Sequence, residues 1–408
     1  MTAKRTRASG EGSIFPYRNG YAAYVWVDKP DGKRARKYVY GQTRELVHDK
    51  WIRLHAQAKA GPVATSVPTV GDYLAYWLRS VVQPNLAPLT AATYETMVRR
   101  YIVPGLGSKR LDRLQVRDVQ AWINQVPKIC QCCAQGKDAS RKPDKQRCCA
   151  IGNCCHQAPA TQTLGDLRKV LRSALSTAMS EELVTRNVAA LIKLPPTRKH
   201  KGHAWSSDEA RRFLESARGD GDPFYAAYVL VLVLGFRKGE VLGLSWDDVD
   251  FDAAELTIGR QLQRVRGQLL HRETKTDGCD TTLPLPSICV AALRLRRGEQ
   301  DEAQAKAGQR WRSTNLIFTT RYGTPIEPRN FNRSYDLRIA KARVRRITVH
   351  DARRTCGSLL ADLDVHPRVA MQILRHARFS ITMEIYTRVS SDRTRDALKR
   401  LGDSLDRQ

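Results

Sequence analysis

The sequence predicts a multidomain α+β chain: a small three-stranded sheet plus helix at the N terminus, an all-α middle domain, and a mainly α C-terminal domain with a small antiparallel sheet. Three observations predict it. Short strand-like runs occur in residues 11–60 and again near residues 256–285, one-sided helical stripes occupy most of the remainder, and breaks containing Pro or basic residues fall at 61–68 and 195–203. The expected domains are therefore 1–60, 68–195 with a Cys-rich insertion at 127–160, and 203–408, each of ordinary domain size.

Composition narrows the class of partner. With 69 Lys+Arg against 41 Asp+Glu, the formal net charge is +28, an imbalance that points to a polyanion, and nucleic acid before a membrane surface. MTAKRTRASG has charge but no apolar run behind it, so it does not read as a signal peptide. The most apolar run, Phe224 to Phe236, is too short to span a bilayer. A cytoplasmic location is the expectation, in which the ten cysteines would be reduced or metal-bound rather than paired as disulfides.

In the first domain, Ser13 to Tyr17, Tyr21 to Val27 and Ala35 to Tyr40 read as strands, with Lys29-Pro30-Asp31-Gly32 as a turn. A helix is expected from Thr43, with Leu46, Trp51 and Leu54 covering one sheet face. Arg18, Lys33, Arg34, Arg36 and Lys37 stand among aromatics, and a basic sheet of this kind can enter a major groove. The middle domain opens with Tyr73, Leu74, Trp77 and Leu78. A second helix is expected with Thr90 as N-cap, ending before Pro104. From Thr163 a stripe of Leu164, Leu167, Val170, Leu171, Ala174, Leu175 and Ala178 reads as core. Ser206 or Ser207 would cap the first helix of the third domain, which contains Ala210, Phe213 and Leu214.

Between the middle helices, Cys130 to His156 holds seven cysteines and one histidine. In a reduced compartment, zinc would hold a polar loop that has no apolar core. Cys130-x2-Cys133 and Cys149-x4-Cys154 have ligand spacing; Cys132, Cys148, Cys155 and His156 are the alternates, so a structural zinc site is expected without a settled ligand set. The same loop carries Lys137, Arg141, Lys142, Lys145 and Arg147.

The stretch HDARRTCGSLLADLDVHPRVAMQILRHARFSITMEIY, from His350 to Tyr386, gathers the groups that phosphodiester chemistry needs. His350 and Arg353 are three apart on a helical pattern, His376 follows one short helix later, and Tyr386 is a candidate nucleophile. The series H-x-x-R, L-x-H, Y, with GFRKGEVLGLSWDDVD at 235–250 upstream, resembles the two conserved boxes of the tyrosine recombinases, or phage-type integrases. YIVPGLGSKRLDRLQVRDVQAWI, from Tyr101 to Ile123, resembles the family's core-binding domain, and the N-terminal module resembles an arm-type DNA-binding domain.

The resemblance implies a site-specific DNA recombinase, the integrase of a mobile element, that needs no cofactor for catalysis and exchanges strands through a 3′-phosphotyrosyl intermediate and a four-way junction. It implies double-stranded DNA attachment sites as substrate, a homotetramer on DNA and a directionality factor as partners. Arg237 and Arg353 would clamp the phosphate, Glu240 would orient its neighbours, His350 would act as general acid/base, His376 would donate to the phosphate, and Tyr386 would attack. Lys275, in HRETKTDGCDTTLPL between the strand-like segments Leu256 to Arg266 and Thr281 to Leu285, would protonate the leaving oxygen, with Lys238 as competitor. Arg375 stands where the family has glycine before the second histidine. The segment Thr394 to Leu405 would dock on a neighbouring subunit. Two other readings share some of these features: a type IB topoisomerase-like DNA relaxation, and a non-enzymatic zinc-containing DNA-binding regulator.

Overall fold

The computed structural model describes residues 14–28, 32–61, 67–196, 202–273, 281–376, 378–386 and 399. The chain divides into two compact units, one of Met1–Leu86 with Thr93–Thr197 and one of Ala87–Ala92 with Arg198–Gln408. The principal division falls inside the basic linker that follows Pro195. No helix among the described residues is long and apolar enough to cross a membrane.

In the first unit, Phe15–Tyr17, Gly20–Asp28 and Arg34–Gly41 form an antiparallel sheet in sequence order. Its period-two alternation sorts the faces. Val25, Val27 and Val39 pack with Trp51, Leu54 and Ala58 of the helix Arg44–Ala60, while Tyr24, Trp26, Arg36, Tyr38 and Tyr40 share the other face. Thr43 caps that helix by accepting from Leu46 N. Leu46 does not cover the sheet: it is 50% exposed, and Val47, one position on, is fully buried in its place. Of the expected turn, Lys29, Pro30 and Asp31 lie outside the described residues.

The helical part of this unit is built on Thr161–Ser180, whose seven expected core residues are all buried. Tyr73 Oη donates to Ala174 O and Trp77 Nε1 to Thr177 Oγ1, tying the helix Val70–Trp77 to it. Thr90 is not a cap, because the helix Pro88–Met97 begins at Pro88, where a missing N–H costs nothing. Nor does helical structure stop before Pro104. Wider turns at Leu78–Val82 and Val98–Ile102 each come just ahead of a proline, Pro84 and Pro104, and helix resumes on the far side. A π turn relieves the clash between the proline ring and the preceding carbonyls and lets the chain continue.

The second unit is organised around the helix Tyr225–Val233, buried at every position from Tyr225 to Leu232. Around it pack the helices Ser207–Gly219, Ser287–Ala307, Pro328–Ala342 and Val349–Asp362, with an aromatic cluster of Trp205, Phe213, Tyr228, Phe331 and Tyr335. Ser206 is the cap of the first of these, in a capping box with Glu209. The small antiparallel sheets differ from expectation. Leu256 to Arg266 is not one strand: Glu255–Ile258 pairs with Val249–Asp250 and Thr281–Pro284, whereas Arg260–Val265 turns through Arg266-Gly267 to pair with Gln268–Glu273. Both turn residues have positive φ, 46° and 84°, the conformation a tight two-residue hairpin needs.

Candidate active site and a cysteine cluster

The sharp turn Leu234-Gly235-Phe236 delivers Arg237 to the start of the helix Lys238–Gly243. Gly235 has φ +59°, and a Cβ there would lie 2.5 Å from Leu374 Cδ2, so the position is both left-handed and tightly packed. Arg237 N donates to Glu240 Oε2 at 2.8 Å and its Nη1 to Oε1 at 2.5 Å. The second box begins at Thr348, which caps the helix Val349–Asp362 with Asp351 and sets His350 and Arg353 in its first turns. Arg237, His350 and Arg353 line one cavity of about 400 Å³, together with Lys238, Arg346 and Asn332.

Arg353 is buried and donates to Gly235 O at 2.6 Å and to Leu374 O. Burial lowers its guanidinium to about 9, and the neighbouring Arg237 and Arg375 push the same way. It remains a cation at neutral pH, yet one whose charge is under-compensated.

Arg375 is the residue that sequence reasoning left without a role. It closes the helix Pro367–Leu374 in the left-handed conformation, φ +50°, where glycine is the unstrained choice. The turn expected of glycine is kept, with Arg375 N bonded to Gln372 O and His376 N to Met371 O. Its buried guanidinium donates to Glu240 Oε2 at 3.0 Å and to the carbonyls of Leu234, Gly235 and Ile373, and lies 4.7 Å over the Phe236 ring. Arg237 Nη2 in turn donates to Arg375 O at 3.1 Å. Glu240 therefore bridges two guanidiniums: burial alone would raise its pKa, but Arg375 and Arg237 outweigh that and lower it. The only signal in sequence was an arginine directly after Leu374, the last apolar position of a helix, where a glycine stop belongs.

His376 sits beside this group, its Nδ1 3.0 Å from the buried Thr382 hydroxyl. Burial first, then Arg353, Arg237 and Arg375, lower His376 to about 4; burial and Arg353 lower His350 too. Both imidazoles are neutral at pH 7. Three guanidiniums thus face one carboxylate and two uncharged imidazoles, leaving an excess of positive charge of the kind that binds an anion with more than one negative oxygen.

Tyr386 ends the helix Phe379–Tyr386, which packs on Val349–Asp362 and Pro367–Leu374. Its hydroxyl donates to Val365 O at 2.7 Å, and burial raises its pKa. The phenol is thus anchored on the loop between those helices rather than hydrogen-bonded to the arginines. Lys275 and the segment Thr394 to Leu405 lie outside the described residues, apart from the helical assignment of Lys399. Lys238 lines the cavity and donates to Asn332 Oδ1 at 3.2 Å.

The thiols of the insertion converge, but not as the spacing implied. Cys130, Cys133, Cys148 and Cys154 have all four Sγ atoms within 4.8 Å of one another, and Cys148 also groups with Cys132 and Cys155. Cys149 is outside both groups and exposed; Cys148 takes its place. The reason is local. Asp138, itself fully buried, accepts from the backbone N–H of Arg147, Cys148 and Ala150, which turns Cys148 inward and its neighbour outward. His156 is exposed and belongs to neither group.

Residues 205–393 match the sequence model described as the phage integrase family, and residues 69–126 match the phage integrase N-terminal SAM-like domain. The chain belongs to the tyrosine recombinase (phage integrase) family. As a member it is a DNA strand transferase that acts in site-specific recombination. A tyrosine recombinase XerC-like protein of Caldanaerobacter subterraneus is 26% identical over 94% of this chain and 96% of its own length. An integrase of Streptomyces ambofaciens is also 26% identical, over 88% of this chain and 86% of its own. The fold is shared with the Tn1549 transposon integrase solved in complex with a circular intermediate DNA, at TM-score 0.62 and 19% identity, covering 82% of this chain and 100% of that one. A lambda integrase dimer bound to a core site aligns at TM-score 0.51 and 15% identity, over 94% of this chain and 96% of that one.

Proposed function

We propose that this tyrosine recombinase is the integrase of a mobile element and that Arg237, His350, Arg353, His376 and Tyr386 perform its strand transfer, with Lys275 as proton donor. The observation that carries the assignment is the cluster of Arg237, His350 and Arg353 on one cavity, backed by Glu240 and Arg375. A phosphodiester resists attack because its charge repels nucleophiles, and a set of fixed guanidiniums lowers that barrier by neutralising the phosphorane as it forms. The neutral His350 accepts the phenolic proton, Tyr386 Oη bonds to phosphorus, the P–O5′ bond breaks, and Lys275 supplies the proton that leaves a 5′-hydroxyl. His376, with Thr382 on Nδ1, donates from its other nitrogen to a non-bridging oxygen. Before attack the phenol exchanges its bond to Val365 O for the phosphate, so DNA binding and nucleophile release are coupled.

The phosphotyrosyl bond stores the energy of the cut strand, and a second 5′-hydroxyl reverses the attack without a catalytic metal. Pairwise exchange through a four-way junction then calls for four subunits on two attachment sites, with a directionality factor choosing the product. The relatives support this reading: integrases of a transposon, an integrative element and phages, two of them solved on DNA. The three-domain division at 1–60, 68–195 and 203–408 assigns the N-terminal sheet to arm-type sites, its exposed face carrying Trp26, Tyr38 and Tyr40 with Arg34 and Arg36 stacked on Trp26.

A nicked suicide attachment site tests the chemistry. The wild type should accumulate a covalent protein–DNA adduct, and Tyr386→Phe should abolish it while retaining DNA binding. An adduct of equal yield in Tyr386→Phe refutes the nucleophile, and one formed equally on any sequence refutes site specificity.

A further inference from the structure

We propose that Cys130, Cys133, Cys148 and Cys154 bind one structural zinc ion that holds the 127–160 insertion folded. That segment lacks an apolar core of its own. Its buried side chains are Gln131, Cys132, Asp138 and Cys148, with no buried Leu, Ile, Val or Phe, and its two isoleucines, Ile129 and Ile151, are 46% and 56% exposed. A loop of this length without an apolar core needs another source of order, and a metal closes many residues around one point.

The sulfur geometry fits an ion. Cys130 Sγ lies 3.9 Å from Cys148 Sγ, and Cys133 Sγ lies 3.3 Å from Cys148 Sγ and 3.9 Å from Cys154 Sγ. A tetrahedron of thiolates about 2.3 Å from zinc has edges of about 3.8 Å. The backbone is arranged for it at both ends. Cys130 and Cys133 flank one helical turn, with Ala134 N bonded to Cys130 O and Gly136 N to Cys133 O. Cys148 opens a second turn closed by Gly152 at φ +72°, which returns the chain so that Cys154 meets the first pair. Cys155 N donates to Cys148 Sγ at 3.2 Å, a bond that stabilises a thiolate.

The choice of ion and number follows from the donors. Four sulfurs and no oxygen select a thiophilic ion over calcium or magnesium, and a closed four-sulfur shell is the structural form of zinc. The second group, Cys132, Cys148 and Cys155, supplies three sulfurs and borrows Cys148, while Cys132 already accepts from Arg141 Nη1 at 3.7 Å. One ion therefore satisfies the cluster. Its consequence is to fix the exposed basic run that includes Lys142, Lys145 and Arg147, which leaves the fold between Asp138 and Cys148.

The test uses the full chain purified from zinc-supplemented medium, with total metal analysis and cobalt(II) exchange. The expected result is about one zinc per chain and, after exchange, the intense visible bands of tetrahedral cobalt thiolate. Cys149→Ser should keep the ion, whereas Cys154→Ser should lose it to a chelator at least about tenfold more readily, the low end of what disturbing even the groups around a ligand costs. Trypsin should cut the 137–147 run faster once zinc is withdrawn. Wild-type protein with no zinc and no cobalt–thiolate bands overturns the proposal, as do two ions per chain, iron in place of zinc, or equal loss in Cys149→Ser and Cys154→Ser. None of these readings depends on the covalent adduct, so the zinc site and the recombination chemistry fail separately.

Discussion

Removing the charge of Glu240 is the most informative perturbation of the active site. Glu240 is 4% exposed and its two oxygens serve Arg237 and Arg375, the latter with a side chain only 2% exposed. Glu240→Gln keeps the shape and some hydrogen bonding but leaves Arg375 buried beside Arg353 without a counter-charge. At an effective dielectric near 20, one charge pair at about 4 Å is worth about 4 kcal/mol, and breaking a buried pair from one side typically costs about 3–5 kcal/mol. For a unit of this size each kcal/mol moves the melting midpoint by about 2–4 °C, so the transition should fall by roughly 10 °C.

Differential scanning calorimetry of the full chain measures this shift. Arg375→Met removes the other partner and takes its donor from the carbonyls of Leu234 and Ile373, while Gly235 O keeps Arg353 and Glu240 keeps Arg237, so it should cost less, about 2–3 kcal/mol. The double variant decides the matter. It no longer buries an unpaired charge, and should be more stable than the sum of the single effects by about 1–3 kcal/mol. A Glu240→Gln shift under about 2 °C, or single effects that add within about 0.5 kcal/mol, would refute the bridge as the element that holds the arginines together.

Three further outcomes follow from the same geometry. Gly235→Ala places a methyl 2.5 Å from Leu374 Cδ2 in a left-handed residue that Arg353 bonds, and should slow adduct formation by at least about tenfold, a loss of about 1.4 kcal/mol of transition-state stabilisation; an unchanged rate constant would count against the turn as the support of Arg237 and Arg353. Because His350 and His376 have folded-state pKa values below the unfolded value of about 6.5, the unfolded chain protonates first as pH falls. Stability they influence is therefore unaffected above pH 6.5 and declines below it, and subsaturating cleavage should be flat from about pH 6.5 to 8 with its acid limb below 6.5; a limb centred above pH 7 would contradict neutral imidazoles. Thr382→Val removes the hydroxyl at His376 Nδ1 and should lower single-turnover cleavage by about tenfold with DNA affinity unchanged, whereas equal loss in both would make Thr382 a packing residue.

The sequence alone carried the family, the helical stripe of Thr161–Ser180, a cap at Ser206 or Ser207, and the five described catalytic candidates, because each is a local pattern: a period, a cap, or a motif in fixed order. What it could not carry depends on where separate segments meet. Val47 rather than Leu46 covers the sheet because helix phase against a sheet is set by packing. Cys148 rather than Cys149 joins the thiols because a buried Asp138 ten residues earlier turns the backbone, and adjacent residues must then point in opposite directions. Arg375 looked like a departure from a glycine position, and only the folded chain gives it Glu240, the carbonyls of Leu234 and Gly235, and the Phe236 ring as partners from more than a hundred residues away in sequence. Local patterns are written along one stretch of chain; the compensation of a buried charge exists only after distant stretches have been brought into contact.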